Sequence, residues 1–274
     1  MMPKTFIPMI RKAPKPLGFA THPSYLELPG YGEAAARYMR ILVPEVAGKY
    51  GYVKANGWGD MDALYAWAHT YGKRTHYHAL LWWWEFPPDP EAWIREVIGR
   101  YPYIPDFDVC NEAWDYLGNP RYTFIEDAYR LSRTLTSARL WYNGELISTA
   151  EQANALALVR AGLADGIGIQ MHLGLYPDLS KYTQFIAQLS MLGIPWRVSE
   201  LDVMISALTP EELARQAAVY GQVRQMIEDY GGESGTTWGL TDNTSWRRDN
   251  YPLCFDAAAQ PKPCWDSWRG VVNV

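Results

Sequence analysis

Strand-like and helix-like stretches alternate along almost the whole chain, and this alternation limits the folds that the sequence can adopt. Short apolar runs rich in β-branched and aromatic residues predict eight strands, over residues 17–22, 50–56, 74–82, 107–112, 139–144, 166–173, 195–203 and 235–242. The spacing of apolar residues between them predicts helices over residues 32–47, 60–73, 125–135, 149–163 and 209–232. Because parallel neighbours need crossover connections, this order favours a parallel sheet flanked by helices.

Eight strand–helix units in 274 residues match the size of an α/β fold of the (β/α)8 TIM-barrel type. A doubly wound open sheet is the alternative, and it would carry a glycine-rich phosphate turn of the G-x-G-x-x-G type, which this sequence lacks. No linker or internal repeat divides the chain. We therefore expect a single barrel domain over residues 1–274.

Composition excludes several classes of function. With a net charge of −5 and no block of Lys or Arg, nucleic acid is not an expected partner. The apolar runs are too short to span a bilayer. Residues 1–18 are interrupted by Pro and Lys and are not expected to form a signal peptide, so the compartment stays open. Three cysteines give no disulfide framework, although Cys254 and Cys264 could pair across a turn.

Polar side chains occur where several of the apolar strands end, and the active sites of barrels lie at the carboxyl ends of the strands. The two most informative are Glu112, after the apolar run 107–110, and Glu200, inside the run 195–203. Other polar or aromatic residues at predicted strand ends are His78, Trp82, Asn143, Gln170, His172, Trp238 and Asp242. Since polar groups in apolar strands are costly unless they are paired, their convergence on one rim indicates a functional site.

A pair of carboxylates facing each other across a barrel mouth is what cleavage of a glycosidic bond requires. One carboxyl group protonates the leaving oxygen, while the other attacks the anomeric carbon or activates water. Glu112 and Glu200 lie on the fourth and seventh predicted strands, which are on opposite sides of an eight-stranded barrel. The 13 Trp and 19 Tyr residues suit sugar stacking, although core packing is their default explanation.

The motifs around these residues resemble glycoside hydrolase family 10, the endo-β-1,4-xylanase family. Six segments carry the resemblance in the family's order, namely "HALLWW" (78–83), "FDVCNEAWD" (107–115), "GIGIQMHL" (166–173), "VSELDV" (198–203), "TTWGLTDNTSW" (236–246) and "YPLCFDAAAQPKPCW" (251–265). Together they are specific, whereas each alone would be weak. The resemblance implies secretion if a leader has been removed, and otherwise a protein that stays inside the cell.

The resemblance also implies a role for each matching residue. Glu112 would be the general acid/base and Glu200 the nucleophile, while His172 would bond Glu200 and be held by Asp202. Asn111 would bind the 2-hydroxyl of the sugar. The remaining substrate-binding residues implied are Asn56, His78, Trp82, Asn143, Gln170, Trp238 and Trp246.

The sequence departs from the family after the second predicted strand. The family carries Glu-Asn-x-Met-Lys-Trp there, and in "VKANGWGDMDAL" (53–64) only Asn56 offers a match, for the Asn. Where the family has a second His, directly after the position of Trp82, this chain has Trp83, and where the family has a Gln this chain has Glu85. We therefore expect intact catalytic residues, rebuilt subsites on the non-reducing side, and weaker use of short xylo-oligosaccharides than of polymer.

The leading hypothesis is a retaining glycosidase that cleaves internal β-1,4 bonds of xylan-type polysaccharide, as a monomer and without a cofactor. A metal-dependent barrel hydrolase is an alternative, with His76 and His78 on one strand face and His172 as a third ligand. A non-catalytic glycan-binding barrel is another, although the presence of both glutamates speaks against it.

Overall fold

The computed structural model describes residues 15–270. Within this part of the chain, one parallel sheet is built from nine strand segments: β1 (Leu17–Thr21), β2 (Ile41–Pro44), β3 (Arg74–Thr75), β4 (Leu81–Trp82), β5 (Asp106–Asn111), β6 (Arg139–Gly144), β7 (Gly166–Leu173), β8 (Trp196–Val203) and β9 (Gly235–Thr237). Their order in the sheet is β3-β2-β1-β9-β8-β7-β6-β5-β4. The N-terminal segment expected to lack a signal peptide lies mostly outside the described residues.

The stretch 74–82 joins the two ends of this sheet. Its first part, β3, pairs with β2, and its last part, β4, pairs with β5. Between them Tyr77 forms a bridge to Phe107, and the Tyr77 amide donates to the Asp106 carbonyl at 2.9 Å. The sheet is thereby curled into a barrel, and the predicted (β/α)8 class is confirmed.

Helices connect successive strands. They are α1 (Pro23–Leu26), α2 (Tyr31–Tyr38), α3 (Tyr50–Asn56), α4 (Gly59–Thr70), α5 (Pro90–Arg100), α6 (Ile125–Leu135), α7 (Thr149–Arg160), α8 (Ser180–Met191), α9 (Pro210–Asp229) and α10 (Pro263–Trp268). At the start of α9, Thr209 Oγ1 accepts a hydrogen bond from the Glu212 amide at 3.2 Å, with Pro210 in the first turn.

The second strand is the main error of the sequence-based prediction. Residues 50–56, predicted as a strand, form α3, whose only buried residue is Val53. The true strand, Ile41–Pro44, lies inside the segment predicted as the helix 32–47. Its apolar, partly β-branched residues fit between β1 and β3, and Pro44 ends it because proline has no amide hydrogen to continue the ladder.

The core lies between the sheet and the helices and accounts for many of the aromatic residues. Trp93, Trp141, Trp196 and Trp268 are at most 2% exposed. All three cysteines are buried and free, so Cys254 and Cys264 are not bonded to each other. Among the helices of residues 15–270, none combines the length and apolar character needed to cross a membrane.

Candidate active site

Two strand ends deliver the two glutamates to the same rim of the barrel. Glu200 lies within β8 and is 3% exposed. Glu112 directly follows β5. Its backbone dihedral φ is 51°, in the left-handed region that non-glycine residues rarely adopt. Its amide donates to the Asn143 carbonyl of β6 at 2.8 Å. Backbone strain of this kind is typical of functional positions, because the surrounding structure must hold it in place.

The amide of Gln170 brings the two carboxyl groups together. Its Nε2 atom lies 2.9 Å from Oε1 of Glu200 and 3.2 Å from Oε1 of Glu112. It also lies 3.1 Å from Oδ1 of Asn111. A register shift in the β7–β8 pairing sets Gln170 directly opposite Glu200. The predicted convergence of Glu112, Glu200, Asn111 and Gln170 is therefore present in the structure.

Glu200 is held in its ionised form by donors on both oxygens. Asn143 Nδ2 donates to Oε1 at 2.8 Å, and Nε2 of His172 lies 3.2 Å from Oε2. Burial alone would favour the neutral acid, but the hydrogen bond from His172 and the positive charges nearby hold the pKa of Glu200 below its usual value. An anion at this position suits nucleophilic attack.

His172 links Glu200 to a second buried carboxylate. Its Nδ1 atom lies 2.7 Å from Oδ2 of Asp202, which also accepts the indole N–H of Trp246 at 2.9 Å. Arg247 donates to the other oxygen of Asp202 at 3.2 Å. Burial opposes the charge of His172, but its bonds to Asp202 and Glu200 raise its pKa to about 10. An imidazolium ion with both N–H groups engaged therefore braces the Glu200 carboxylate.

Glu112 receives indole donors from two consecutive tryptophans. Trp82 donates to Oε2 at 3.2 Å, and Trp83 donates to the same atom at 3.0 Å. Asn111 Nδ2 lies 3.4 Å from Oε1. The sequence predicted Trp82 as a site residue, but it did not predict the contact between Trp83 and Glu112.

His78 and Trp238 form the floor of the site. Nδ1 of His78 lies 2.9 Å from Oδ2 of Asp108, and its Nε2 atom lies 3.9 Å from Oε1 of Glu200. The imidazole packs against the Trp238 indole in an edge-on arrangement, with ring centres 5.0 Å apart. The hydrogen bond between Nδ1 and the Asp108 carboxylate fixes the ring orientation in which Nε2 of His78 faces Glu200.

The geometry of the three histidines does not favour the metal-dependent alternative. His76 contacts Asp108 and Arg197, with Nε2 2.9 Å from Oδ2 of Asp108 and 2.7 Å from the guanidinium of Arg197. Burial and the charge of Arg197 lower the pKa of His76. Both ring nitrogens of His172 are engaged by carboxylates. Within the described residues no cluster of three or more His, Cys, Asp or Glu side chains is arranged to hold a metal ion.

The predicted absence of a Glu and a Lys after the second strand is wrong. With β2 at Ile41–Pro44, Glu45 and Lys49 follow it at the spacing of the family motif Glu-Asn-x-Met-Lys-Trp. Lys49 is buried, Glu45 is half-buried, and Val46 stands at the Asn position. The expectation of weak activity on short xylo-oligosaccharides loses its basis. The apolar run "ILVP", ended by proline, was the signal that could have located this strand.

Asn56 is not part of the cluster. It is the last residue of α3, is exposed, and donates its side-chain amide to the Tyr52 carbonyl at 3.0 Å. No described contact joins Asn56 to the two glutamates, and its role in substrate binding stays a prediction. Asp242, also expected at a strand end, forms a buried ion pair with Lys262 at 3.0 Å and supports the loop around it.

Comparison with known proteins agrees with this geometry. Residues 8–271 match the family described as Glycosyl hydrolase family 10. Endo-1,4-beta-xylanase 3 of Hypocrea jecorina is 28% identical over 274 aligned positions, which cover 85% of this chain and 75% of that protein. The glycosylated endo-beta-1,4-xylanase of Gloeophyllum trabeum shares the fold with a TM-score of 0.87 at 24% identity, covering 94% of this chain and 96% of that one. TsXylA, an intracellular xylanase of Thermoanaerobacterium saccharolyticum, was solved with xylotriose. It shares the fold with a TM-score of 0.84 at 24% identity, covering 93% of this chain and 95% of that one.

A parallel barrel with two glutamates at the carboxyl ends of its strands defines the class of barrel glycosidases. The match over nearly the whole sequence makes the assignment specific, and the chain belongs to glycosyl hydrolase family 10. The resemblance seen in the six sequence motifs is thereby confirmed, and the chain is a glycoside hydrolase.

Proposed function

We propose that the protein is a retaining endo-β-1,4-xylanase that acts as a single catalytic domain, with Glu112 as general acid/base and Glu200 as nucleophile. The observation that carries this proposal is the shared contact of both carboxyl groups with Gln170 Nε2. Because both Oε1 atoms contact the same nitrogen, at 3.2 and 2.9 Å, the distance between them is at most about 6.1 Å. Retention requires carboxyl groups about 5–5.5 Å apart, whereas inversion requires roughly 6.5–9.5 Å. The short contact supports retention.

In the first step Glu112 donates its proton to the glycosidic oxygen, which leaves with the electron pair of the broken bond. An oxygen of Glu200 forms the new bond to the anomeric carbon. The imidazolium of His172 and the amide of Asn143 keep this carboxylate oriented before attack. In the second step Glu112 takes a proton from water, the water oxygen bonds to the anomeric carbon, and Glu200 departs as a carboxylate.

The other residues of the cluster would bind the sugar. The Trp246 ring lies beside His172 and the Trp238 ring beside His78, so both border the space above Glu200. Aromatic faces of this kind suit the C–H faces of a pyranose. Asn111, which adjoins both Gln170 and Glu112, suits a sugar hydroxyl next to the cleaved bond. Lys49 and Glu45 extend the polar surface towards β2.

The substrate is tested by a reducing-sugar assay on xylan, arabinoxylan, β-glucan and mannan. Xylan is the expected substrate because the relative in Hypocrea jecorina and the two solved proteins are xylanases. We expect release of reducing ends from xylan at a rate at least tenfold above that from glucan or mannan. A glucan preference would reassign the substrate and leave the mechanism intact.

The same assay separates the enzyme from the two alternatives. Binding of xylan with no release of reducing ends would identify a non-catalytic glycan-binding barrel. Loss of activity in excess chelator, restored by a divalent metal, would identify a metal-dependent hydrolase. We expect activity that chelator does not change.

A further inference from the structure

The acid/base carboxyl group is held differently on its two oxygens. Oε1 of Glu112 faces the amides of Gln170 and Asn111, at 3.2 and 3.4 Å. Oε2 instead receives the indole N–H groups of Trp83 and Trp82. The backbone of Glu112 is in the left-handed conformation and its side chain is only partly buried. Hydrogen bonds on both oxygens, rather than close packing, therefore fix the plane of its carboxyl group.

Of the two indoles, Trp83 makes the shorter contact, at 3.0 Å. Trp82 is engaged elsewhere as well, because the ammonium of Lys49 lies 4.0 Å from its ring centre. Trp83 is the first residue of a short 3-10 turn, Trp83–Glu85, and its indole N–H donates to Glu112.

The orientation of the Trp83 ring is set by the loop that carries Glu112. The Arg121 guanidinium lies 4.5 Å from the centre of the Trp83 ring. Two hydrogen bonds hold Arg121 in place. Its Nε donates to the Trp114 carbonyl at 3.2 Å, and its backbone amide donates to the Ala113 carbonyl at 2.8 Å. The exposed Trp84 ring packs edge-on against the same indole. The loop after β5 and the turn after β4 thus form one unit around the carboxyl group.

We propose that Trp83 is a positioning residue for proton transfer, whose indole N–H holds Oε2 of Glu112 in the orientation from which the carboxyl group protonates the leaving oxygen. This inference rests on the proposed role of Glu112 and adds the residue that aims it. The hydrogen bond is accepted by the carboxyl group in both steps, and Trp83 itself exchanges no proton with the substrate.

The test is a Trp83→Phe variant, which removes the N–H and keeps an aromatic ring, assayed with xylobiosides of graded leaving groups. The parameter is kcat/KM, which reports the first chemical step. We expect a loss of about tenfold with xylan and with phenyl xylobioside, part of the roughly 100- to 10,000-fold that a positioned general acid supplies. With a dinitrophenyl leaving group, which departs without a proton, kcat/KM should stay within twofold. Because an N–H donor favours an ionised carboxylate, the basic limb of the pH profile on xylan should move to higher pH.

Three further variants complete the design. Trp83→His keeps a ring N–H and should recover most of the activity on xylan. Tyr71→Phe, at a half-exposed ring that follows α4 and precedes the amino-terminal end of β3, should match the wild type on every substrate. If Trp83→Phe does not fold, Arg121→Met frees the indole without touching the barrel core, and it should show the same dependence on leaving group in a weaker form.

An equal loss with phenyl and dinitrophenyl leaving groups would overturn the proposal, since it would mean that Trp83 only binds substrate or supports the fold. No loss with either would overturn it too. Glu112→Ala, run in parallel, separates this inference from the proposed function. If Glu112→Ala shows the leaving-group dependence and Trp83→Phe does not, only the role of Trp83 fails; if neither shows it, the assignment of Glu112 fails.

Discussion

The ammonium group of Lys49 lies 4.0 Å from the centre of the Trp82 ring, and the lysine is buried in the segment that follows β2. Burial lowers the pKa of Lys49, while the charges of Glu200 and Glu112 oppose that shift. Conversely, Lys49 is one of the cations that keep the pKa of Glu200 low, against the effect of its burial. The charge of Lys49 is therefore coupled to Glu200, the proposed nucleophile, as well as to Glu112.

Lys49→Met should move the acidic limb of the pH–activity profile to higher pH. Glu200 must be ionised to attack, and loss of a nearby cation makes ionisation less favourable. We also propose that Lys49, at the Lys position of the family motif, donates a charged hydrogen bond to the sugar, and its loss should cost about 1.5–3 kcal/mol, or roughly 10- to 100-fold in kcat/KM on xylotriose. The profile of kcat/KM against pH from 3 to 8 measures both effects.

Lys54→Met provides the matched control. Lys54 lies on the neighbouring helix α3, is half exposed and pairs with Glu96 at 3.1 Å. Its removal should leave both the acidic limb and the activity on xylotriose within twofold of the wild type. A Lys49 variant with an unchanged acidic limb would show that this charge does not act on Glu200.

The parts of the site that lie on long, apolar strands could be predicted from the sequence. Gln170 and His172 alternate on β7, and Glu200 and Asp202 alternate on β8, so the period of two places each pair on one face. The parallel order of the strands then places all four at the carboxyl ends. These inferences needed only local patterns and one rule of topology.

The parts that depend on tertiary contacts could not be predicted in this way. The four-residue strand β2 was assigned to a helix because "GEAAARYMRILVPEVA" also has helical spacing; the run "ILVP" was the one local signal against a helix, and the fit of this run between β1 and β3 decides for a strand. That error concealed Lys49. The indole contact of Trp83 depends on the left-handed backbone of Glu112, which no sequence pattern indicated.

Glu200→Ala should abolish nearly all activity on every substrate, because no covalent intermediate can form without the nucleophile. Azide should restore turnover of activated aryl xylobiosides by attacking from the face that the carboxylate occupied, which gives a product of inverted configuration. In the wild type, proton NMR of the first-formed sugar should show the β-anomer. If the α-anomer appears first, the reaction inverts and Glu200 is not the nucleophile.

Glu112→Ala should reduce activity most on substrates with poor leaving groups. The expected loss in kcat/KM on xylan is about 100- to 10,000-fold, the usual contribution of a general acid, and the loss on dinitrophenyl xylobioside should be far smaller. The basic limb of the pH profile should disappear in the variant, since that limb reports the protonated carboxyl group. Asp229→Ala, at an exposed position at the end of α9, should behave as the wild type does. A basic limb that survives in Glu112→Ala would assign the acid to another residue.

The charged state of His172 links stability to pH. Its pKa, raised by Asp202 and Glu200 against the effect of burial, is about 10 in the folded protein and near the ordinary 6.5 in the unfolded chain. A raised folded pKa means that the folded state holds the proton more tightly. The resulting stabilisation is complete below about pH 6.5 and is lost as the pH rises towards 10.

His172→Gln should therefore cost more stability at pH 6.5 than at pH 10. We expect the difference in Tm between wild type and variant to shrink by at least about 2 °C over this range, the shift that about 1 kcal/mol produces in a domain of roughly this size. The measurement is thermal unfolding followed by circular dichroism at half-unit steps of pH. His69→Gln, at an exposed position on α4, supplies the control, and its Tm difference should not follow pH in this way. A His172 difference that stays constant from pH 6.5 to 10 would mean that the imidazole is neutral between the two carboxylates. Glu200 would then owe its charge to Lys49 and the amide donors rather than to an imidazolium partner.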